Sequence, residues 1–332
     1  MKKNIALLTG GYSGEYEVSV ESGKVIYKNL DKELFNVYAI NIGLDSWVYT
    51  SEEGESFEVN LNDFSLMLPT GKVTFDAAFI GIHGTPGEDG KLQGYLDMMG
   101  IPYNTCGRAT SAVTFNKFFS NELVNCSRIR TASTVYLHKR ETPDVDAILK
   151  VTGLPCFVKP NSNGSSVGIT KVKTKEDLLP AISFAFESDD EVLIQEHIPG
   201  VEITCGIYEK NEKLIALPLT EIIPRNEFFD YEAKYKGKSE EITPARISPE
   251  LAEECTAISL MLYRRFNCRG IVRFDYILTP ADFREGRQFY FLEVNTVPGL
   301  SEASIVPQQA AYMGISLKQL FTDVLMETIS AK

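Results

Sequence analysis

Two strand-length segments near the C-terminus constrain this chain more than any other feature: Arg273-Phe274-Asp275-Tyr276 and Phe291-Leu292-Glu293-Val294-Asn295. Side chains alternate along a strand, so Arg273 and Asp275 share one face, as do Glu293 and Asn295. Set side by side, the two strands present two carboxylates and an amide together, and like charges that close call for a cation between them. Oxygen-only ligands favour Mg²⁺, which keeps several waters and shares its shell with phosphates. Either strand alone would read as the half-exposed polar face of a two-stranded sheet. Asn295-Thr296-Val297-Pro298-Gly299 shifts the balance, because a strand ending in such a turn places backbone N–H groups beside the metal.

A second element is Phe157-Val158-Lys159-Pro160-Asn161-Ser162-Asn163-Gly164-Ser165-Ser166-Val167-Gly168. A strand delivers a lysine, and a Gly/Ser loop of little bulk can fold its backbone donors over phosphate oxygens. The lysine precedes the glycines, so this is no Walker A loop, and the chain has no G-x-G-x-x-G, which weighs against a dinucleotide dehydrogenase. By itself the segment is more often an ordinary hairpin turn. Lys117, in a helix of the same lobe, would add a second phosphate charge, although a lone helical lysine is usually only solvated. In the third element, Val192-Leu193-Ile194-Gln195-Glu196-His197-Ile198-Pro199-Gly200-Val201-Glu202, an apolar strand runs into a link. It could expose backbone groups to an adenine edge, with Glu202 accepting from ribose; a buried strand capped by a solvated acidic pair fits those residues as well.

The rest of the chain sets these elements in order. Asn4 to Thr9 reads as a buried parallel strand ending in Gly10-Gly11, followed by a helical pattern through Val18, Val25, Ile26 and Tyr27 with Ser19 and Glu21 outward. Phe35 to Ile42 and Phe75 to Ile82 read as strands of the same α/β unit. The short pieces at 47–49, 57–59 and 65–67 form a hairpin-like insertion within the segment from Leu44 to Val73. Thr110 to Val124 reads as helix, and the strands at 134–137, 156–160, 168–172 and 192–196 with a helix over 175–186 make a small α+β lobe. Glu202 to Tyr208 and Leu214 to Glu221 read as a strand pair, Asn226 to Ile242 as a mobile loop, and Pro249 to Phe266 as helix. Strands over 270–278 and 288–294 complete the pattern. The divisions expected are residues 1–104, an α/β substrate-binding domain; 105–199, a central lobe; and 200–332, a C-terminal lobe with the metal site and loop.

Composition excludes other classes. The net charge of −12 over 332 residues argues against general nucleic-acid binding, which needs a basic face, but not against a nucleotide in a locally positive pocket. The six cysteines form no C-x-x-C pair, and with three histidines no zinc-type spacing can be drawn. They read as reduced, mostly buried residues of a cytoplasmic protein. No run approaches the roughly 18 apolar residues of a membrane span, and the N-terminal apolar run is too short for a signal peptide.

Taken together the three elements resemble the ATP-grasp fold, α/β and α+β, with an N-terminal Rossmann-like parallel-sheet domain. Gly10-Gly11-Tyr12-Ser13-Gly14-Glu15-Tyr16-Glu17-Val18-Ser19 narrows the resemblance to the D-alanine–D-alanine ligases. His83-Gly84-x-x-Gly87-Glu88-Asp89-Gly90-x-x-Gln93-Gly94 and Tyr231-Glu232-Ala233-Lys234-Tyr235 do the same. It runs from Asn4 to the last helix. The resemblance implies that Glu15 holds the ammonium of the first D-alanine, linked to Ser165 and Tyr235, and that His83 helps orient its carboxylate. Lys117, Lys159 and Lys234 would bind ATP phosphates, with Ser166 and Gln195 also at the nucleotide. Glu196 and Ile198 would read adenine through their backbones, and Glu202 would bind ribose. Asp275, Glu293 and Asn295 would hold two Mg²⁺ ions, with Mn²⁺ a substitute. Arg273 and the Gly299 N–H would form an oxyanion hole, and Ser304 and Ile305 would receive the second carboxylate.

The implied reaction uses ATP to convert one D-alanine to an acyl phosphate that the second D-alanine's amine attacks, for cell-wall peptide synthesis. A homodimer is implied in the same way. Gln195 replaces a common acid beside adenine, Asn116 a common Asp before Lys117, and Phe229 a frequent aromatic hydroxyl; these touch fine contacts, not the reaction. A D-alanine–D-lactate ligase generally carries a histidine where Tyr235 stands, so an amine nucleophile is favoured. A non-catalytic ATP-binding regulator would lack at least one metal or phosphate group, and none is missing.

Overall fold

The apolar run after Lys3 forms strand β1 (Lys3–Gly10), whose Ile5, Ala6, Leu7 and Leu8 are wholly buried. Burial on both faces is what a central parallel strand requires, and β1 lies between β2 (Phe35–Ile42) and β7 (Ala77–Ile80), parallel to both. A computed structural model describes the protein over residues 1–162, 164, 168–224, 239–284, 286 and 288–330. At the carboxyl end of β1 the chain turns through Gly10, at φ +87°, where a Cβ would lie 2.1 Å from the Asn41 side-chain oxygen. Only glycine fits that approach. Helix α1 (Tyr16–Asn29) follows, with Glu15 at its N-cap position. Ser19 is buried, not outward as its place in the helical pattern predicts. Its hydroxyl donates to the Glu15 carbonyl (3.0 Å) and accepts from the His83 N–H (2.9 Å), so a small polar side chain serves where the helix meets a loop.

The expected insertion is a meander, β3 (Trp47–Thr50), β4 (Ser56–Asn60), β5 (Ser65–Leu68) and β6 (Gly71–Thr74), that extends the parallel core outward in the order β6-β5-β4-β3-β2-β1-β7. Trp47, Phe64, Phe75 and Tyr95 pack edge to face or tilted beneath it, which anchors the insertion to α2 (Lys91–Met99).

The single helix expected over Thr110 to Val124 is two, α3 (Arg108–Phe115) and α4 (Lys117–Asn125). Asn116 breaks it, because its side chain accepts from the Phe119 N–H at 2.9 Å and caps the new helix. After β8 (Arg130–Thr131), the central lobe is an antiparallel sheet in the order β11 (Thr170–Val172), β10 (Cys156–Pro160), β12 (Glu191–Glu196), β9 (Thr134–His138). Helices α5 (Val145–Thr152) and α6 (Leu178–Ala185) bury Ile148, Leu178 and Ile182 against Val158, Val192 and Ile194. Helix α5 has an Asp144 cap on the Ala147 N–H, a signal the sequence reading passes over.

The third sheet carries the face that matters. Its order is β16 (Ser239–Ile242), β15 (Thr220–Pro224), β13 (Val201–Lys210), β17 (Val272–Leu278), β18 (Phe289–Asn295), β8, with β14 (Lys213–Ala216) also on β13. The one strand expected from Leu214 to Glu221 is therefore two, β14 and β15, and the end of the expected loop, from residue 239, is strand β16. Paired positions share a face, so Gly206, Arg273 and Asn295 make one row, and Thr220, Thr204, Asp275 and Glu293 the next. Glu241, Ile222, Glu202 and Ile277 form a third. The opposite face, with Ile203, Cys205, Phe274 and Tyr276, is buried against Cys255, Leu262 and Tyr263 of α7 (Pro249–Arg265). Helix α7 is started by the Ser248 cap and Pro249. A register shift between Asp275 and Tyr276 is a bulge, a device that re-aims side chains beside active sites.

Helices α8 (Ile305–Tyr312) and α9 (Leu317–Ser330) end the described chain. Leu320, Phe321, Val324 and Leu325 of α9 pack with Ile5, Leu7 and Phe79 of the first sheet and Tyr208 of β13 in one core. All six cysteines are free, five of them buried and Cys126 exposed. None of the described helices is long and apolar enough to cross a membrane.

Candidate active site

A cleft of about 1080 Å³ lies among the three sheets. Each sheet supplies a distinct chemistry because of the end or face it presents. The first gives the turn after β1 and the loop after β7, at the carboxyl ends of parallel strands where open α/β sheets bind ligands. Glu15 and His83 reach the cleft from there, and both are largely buried. His83 Nδ1 lies 2.9 Å from the Val297 carbonyl and Nε2 2.9 Å from Ser22 Oγ. A carbonyl only accepts, so Nδ1 carries a proton; burial pushes the ring's pKa down against the pull of Glu15. Both ring nitrogens are thus engaged, and His83 joins the first sheet to the turn after β18.

Glu88, quoted in the sequence motif but given no role there, completes that junction. Its carboxyl accepts from the Gly84 N–H (2.7 Å) and the Val297 N–H (3.2 Å). Burial, with the Glu15 charge, pushes its pKa up to about 8. The glycine spacing around Glu88 is the signal that could have found it.

The central lobe contributes two lysines. Lys159 is buried on β10, and Lys117 opens α4; both line the cleft. Asn161 sets them. Its carbonyl accepts from the Lys117 N–H (3.2 Å), its side-chain oxygen from the Phe118 N–H (2.9 Å), and its side-chain amide donates to Glu191 (2.6 Å). Gly164 reaches so close to Glu15 that a Cβ would lie 2.3 Å from a carboxylate oxygen, which brings this loop against the first sheet. Ser165 and Ser166 lie outside the described residues, as do Phe229, Lys234 and Tyr235.

At the far end of the cleft, Gln195 donates to Thr134 Oγ1 (2.8 Å). The Glu196 N–H donates to the Ser133 carbonyl (3.0 Å), so that part of its backbone is not available to a ligand; among the described residues nothing accepts from the Ile198 N–H. Burial opposes the Glu196 charge, but Arg284 and the Ser133 N–H and hydroxyl hold its carboxyl below the usual range. Glu202 lines the cleft beside Ile198.

The polar face of the third sheet forms the floor. Glu293 and Asn295 line the cleft, whereas Asp275 lies beneath, paired with Arg273 through two contacts of 2.9 Å and accepting from Asn295 Nδ2 at 2.9 Å. Burial works against the Arg273 charge, but Asp275 and then Glu293 and Glu202 keep it firmly protonated. Asn295 keeps its amide oxygen, so the set is two carboxylates and one carbonyl-type oxygen. Among the described residues no three His, Cys, Asp or Glu side chains converge on one point. Gly299, Ser304 and Ile305 close this end at the start of α8; a Cβ on Gly299 would lie 2.7 Å from Ser304 Oγ.

Lysines at one wall, carboxylates on the floor and an antiparallel pair of sheets clasping the space between define an ATP-grasp protein. The D-ala D-ala ligase N-terminus family profile matches residues 4–106 and the D-ala D-ala ligase C-terminus profile residues 127–326. The D-alanine–D-alanine ligase of Bacteroides fragilis is 44% identical over 98% of this chain and 99% of its own. Two solved structures are similar across nearly the whole chain. D-alanyl-alanine synthetase A from Vibrio cholerae has a TM-score of 0.87 at 29% identity, covering 99% of each chain. A D-alanine–D-alanine ligase from Bacillus anthracis complexed with ATP has 0.77 at 28%, covering 99% of this chain and 97% of that one. The chain belongs to the D-alanine–D-alanine ligase family, enzymes that form a C–N bond.

Proposed function

We propose that this protein joins two D-alanines to D-alanyl-D-alanine with ATP, through an acyl phosphate, in the supply of cell-wall peptide. The observation that carries the reading is the convergence of Glu15, Lys117, Lys159, Arg273 and Glu293 on one cleft from all three sheets. ATP would lie between the central lobe and the third sheet, with adenine near Ile198, ribose on Glu202 and the phosphates toward Lys117 and Lys159. Two Mg²⁺ ions fit the floor because its donors are hard oxygens; Glu293, the Asn295 amide oxygen and Asp275 would hold them, and they would offset charge on the phosphoryl group.

Glu15 would hold the ammonium of the first amino acid, with His83 and Glu88 fixing the loop beneath its carboxylate. That carboxylate attacks the γ-phosphorus, forming an acyl phosphate and ADP. The second amine attacks the acyl carbon, and phosphate leaves. Arg273 and the Gly299 N–H face that carbon's developing oxyanion, where one well-placed donor contributes about 3–4 kcal/mol. Ser304 and Ile305, at a helix start, suit the second carboxylate. Domain divisions at residues 104 and 199, a cytoplasmic setting and a homodimer belong to the same reading, the last tested by sedimentation.

Phosphate release from ATP and Mg²⁺ with D-alanine, L-alanine or D-lactate, with products identified by mass, tests the reaction. D-alanine-dependent release with dipeptide is expected. An ester from D-alanine plus D-lactate would move the chain to the depsipeptide branch, and tight ATP binding without turnover would make it a regulator.

A further inference from the structure

Glu241 of β16 has no place in the scheme above, yet it lines the same cleft in the row that holds Glu202. Its Oε2 accepts from Gln308 Nε2 at 2.9 Å, and the same nitrogen donates to the Ala303 carbonyl at 2.7 Å. Gln308 stands one helical turn beyond Ser304, whose carbonyl accepts from the Gln308 N–H at 3.1 Å. The carboxylate is therefore held beside the start of α8, where the proposed function puts the second amino acid. Nearby Arg246 is taken by Glu221 through contacts of 2.9 and 3.0 Å. Among the described residues Glu241 Oε1 has no hydrogen-bond partner, and the amide of Gln308 is the group bonded to Oε2. A half-buried carboxylate that lines the cleft and has a neutral partner suits a cation brought by the ligand.

We propose that Glu241 receives the ammonium of the second amino acid and takes its proton as the C–N bond forms. The inference rests on the ligase reading. One ammonium proton passes to Oε1 and the freed nitrogen pair bonds to the acyl carbon; the carbon–oxygen bond to phosphate then breaks with its electrons, and the departing phosphate takes the second N–H proton. An α-ammonium group cannot attack until it loses that proton, and a base is most useful when its own affinity for the proton is raised. Burial raises the Glu241 pKa against the Gln308 bond and Arg273, which supports the assignment made from position.

Glu241→Gln keeps an oxygen for Gln308 and removes only the charge, so a merely structural tie would survive it. The full-length enzyme is assayed with ATP, Mg²⁺ and D-alanine, for dipeptide and, with added hydroxylamine, for D-alanyl hydroxamate. Hydroxylamine is uncharged at neutral pH and needs no base. In the variant, dipeptide formation is expected to fall tenfold or more, with a raised KM for the second D-alanine, while hydroxamate still forms. Equal loss of both products, or loss of neither, overturns the proposal. Glu241→Asp, which restores the charge on a shorter arm, is expected to recover part of the dipeptide rate, and no recovery in a folded variant counts against it. Wild-type enzyme that forms neither product would instead sink the ligase reading itself.

Discussion

Glu88 shows how much a single buried acid can carry. It ties the loop after β7 to the turn after β18 through two backbone N–H groups. Its pKa of about 8 lies above the ordinary 4.5, so the folded chain holds this proton more tightly than the unfolded one. The resulting stability is complete below pH 4.5 and is lost as pH rises through about 8. Melting of the ligand-free protein across that window should show a decline that Glu88→Gln flattens; equal slopes in the two proteins would remove Glu88 as its source. Gly299 makes a second test, because a methyl there meets Ser304 Oγ at 2.7 Å. Gly299→Ala should reduce turnover at least tenfold with little change in melting temperature. At this scale the sequence is legible where a residue's type and strand position put it in the cleft, as with Lys159 or Glu293. Ser19 and Glu88 are not, since what a hydroxyl or acid bonds to depends on what another segment brings.

Elements are legible where alternation or a cap is local. The polar face of β17 and β18 follows from period two alone, and α7 from the helical pattern over Pro249 to Phe266. The break at Asn116 is missed because an apolar pattern runs through it, and β16 because its residues are charged and its pairing comes wholly from β15. Asn161 links elements in just this non-local way, fixing the start of α4 to the strand that bears Lys159. Asn161→Ala leaves a Glu191 oxygen and the Phe118 N–H without it, a cost of about 2–3 kcal/mol. Denaturant unfolding should show that loss, and the KM for ATP should rise with it. The Arg284–Glu196 pair joins the hairpin after β17 to β12. Arg284 is half exposed, so Arg284→Ala should cost under about 1 kcal/mol while weakening ATP binding severalfold by titration calorimetry.

For the whole molecule, the cleft exists only while three sheets hold their places, and any ligand spanning them stabilises the set by mass action. ATP with Mg²⁺ and D-alanine together should raise the melting temperature more than either alone; shifts no greater than the larger single one would argue against a shared cleft. The grouping of strands into a first α/β sheet and a later antiparallel one is legible from their order along the chain. The packing of α9 is not, because nothing local says which sheet an amphipathic helix will cover. Phe321 stacks edge-on against Phe79 at 5.5 Å, with Leu320, Val324 and Leu325 around it, each fully buried side chain contributing about 2 kcal/mol. During synthesis on the ribosome the first sheet is finished long before α9 emerges, so one side of it stays uncovered and sticky while the two later sheets are made. A nascent-chain binder acting in that interval, or simple delay in folding the first third of the protein, follows from where one helix comes to rest.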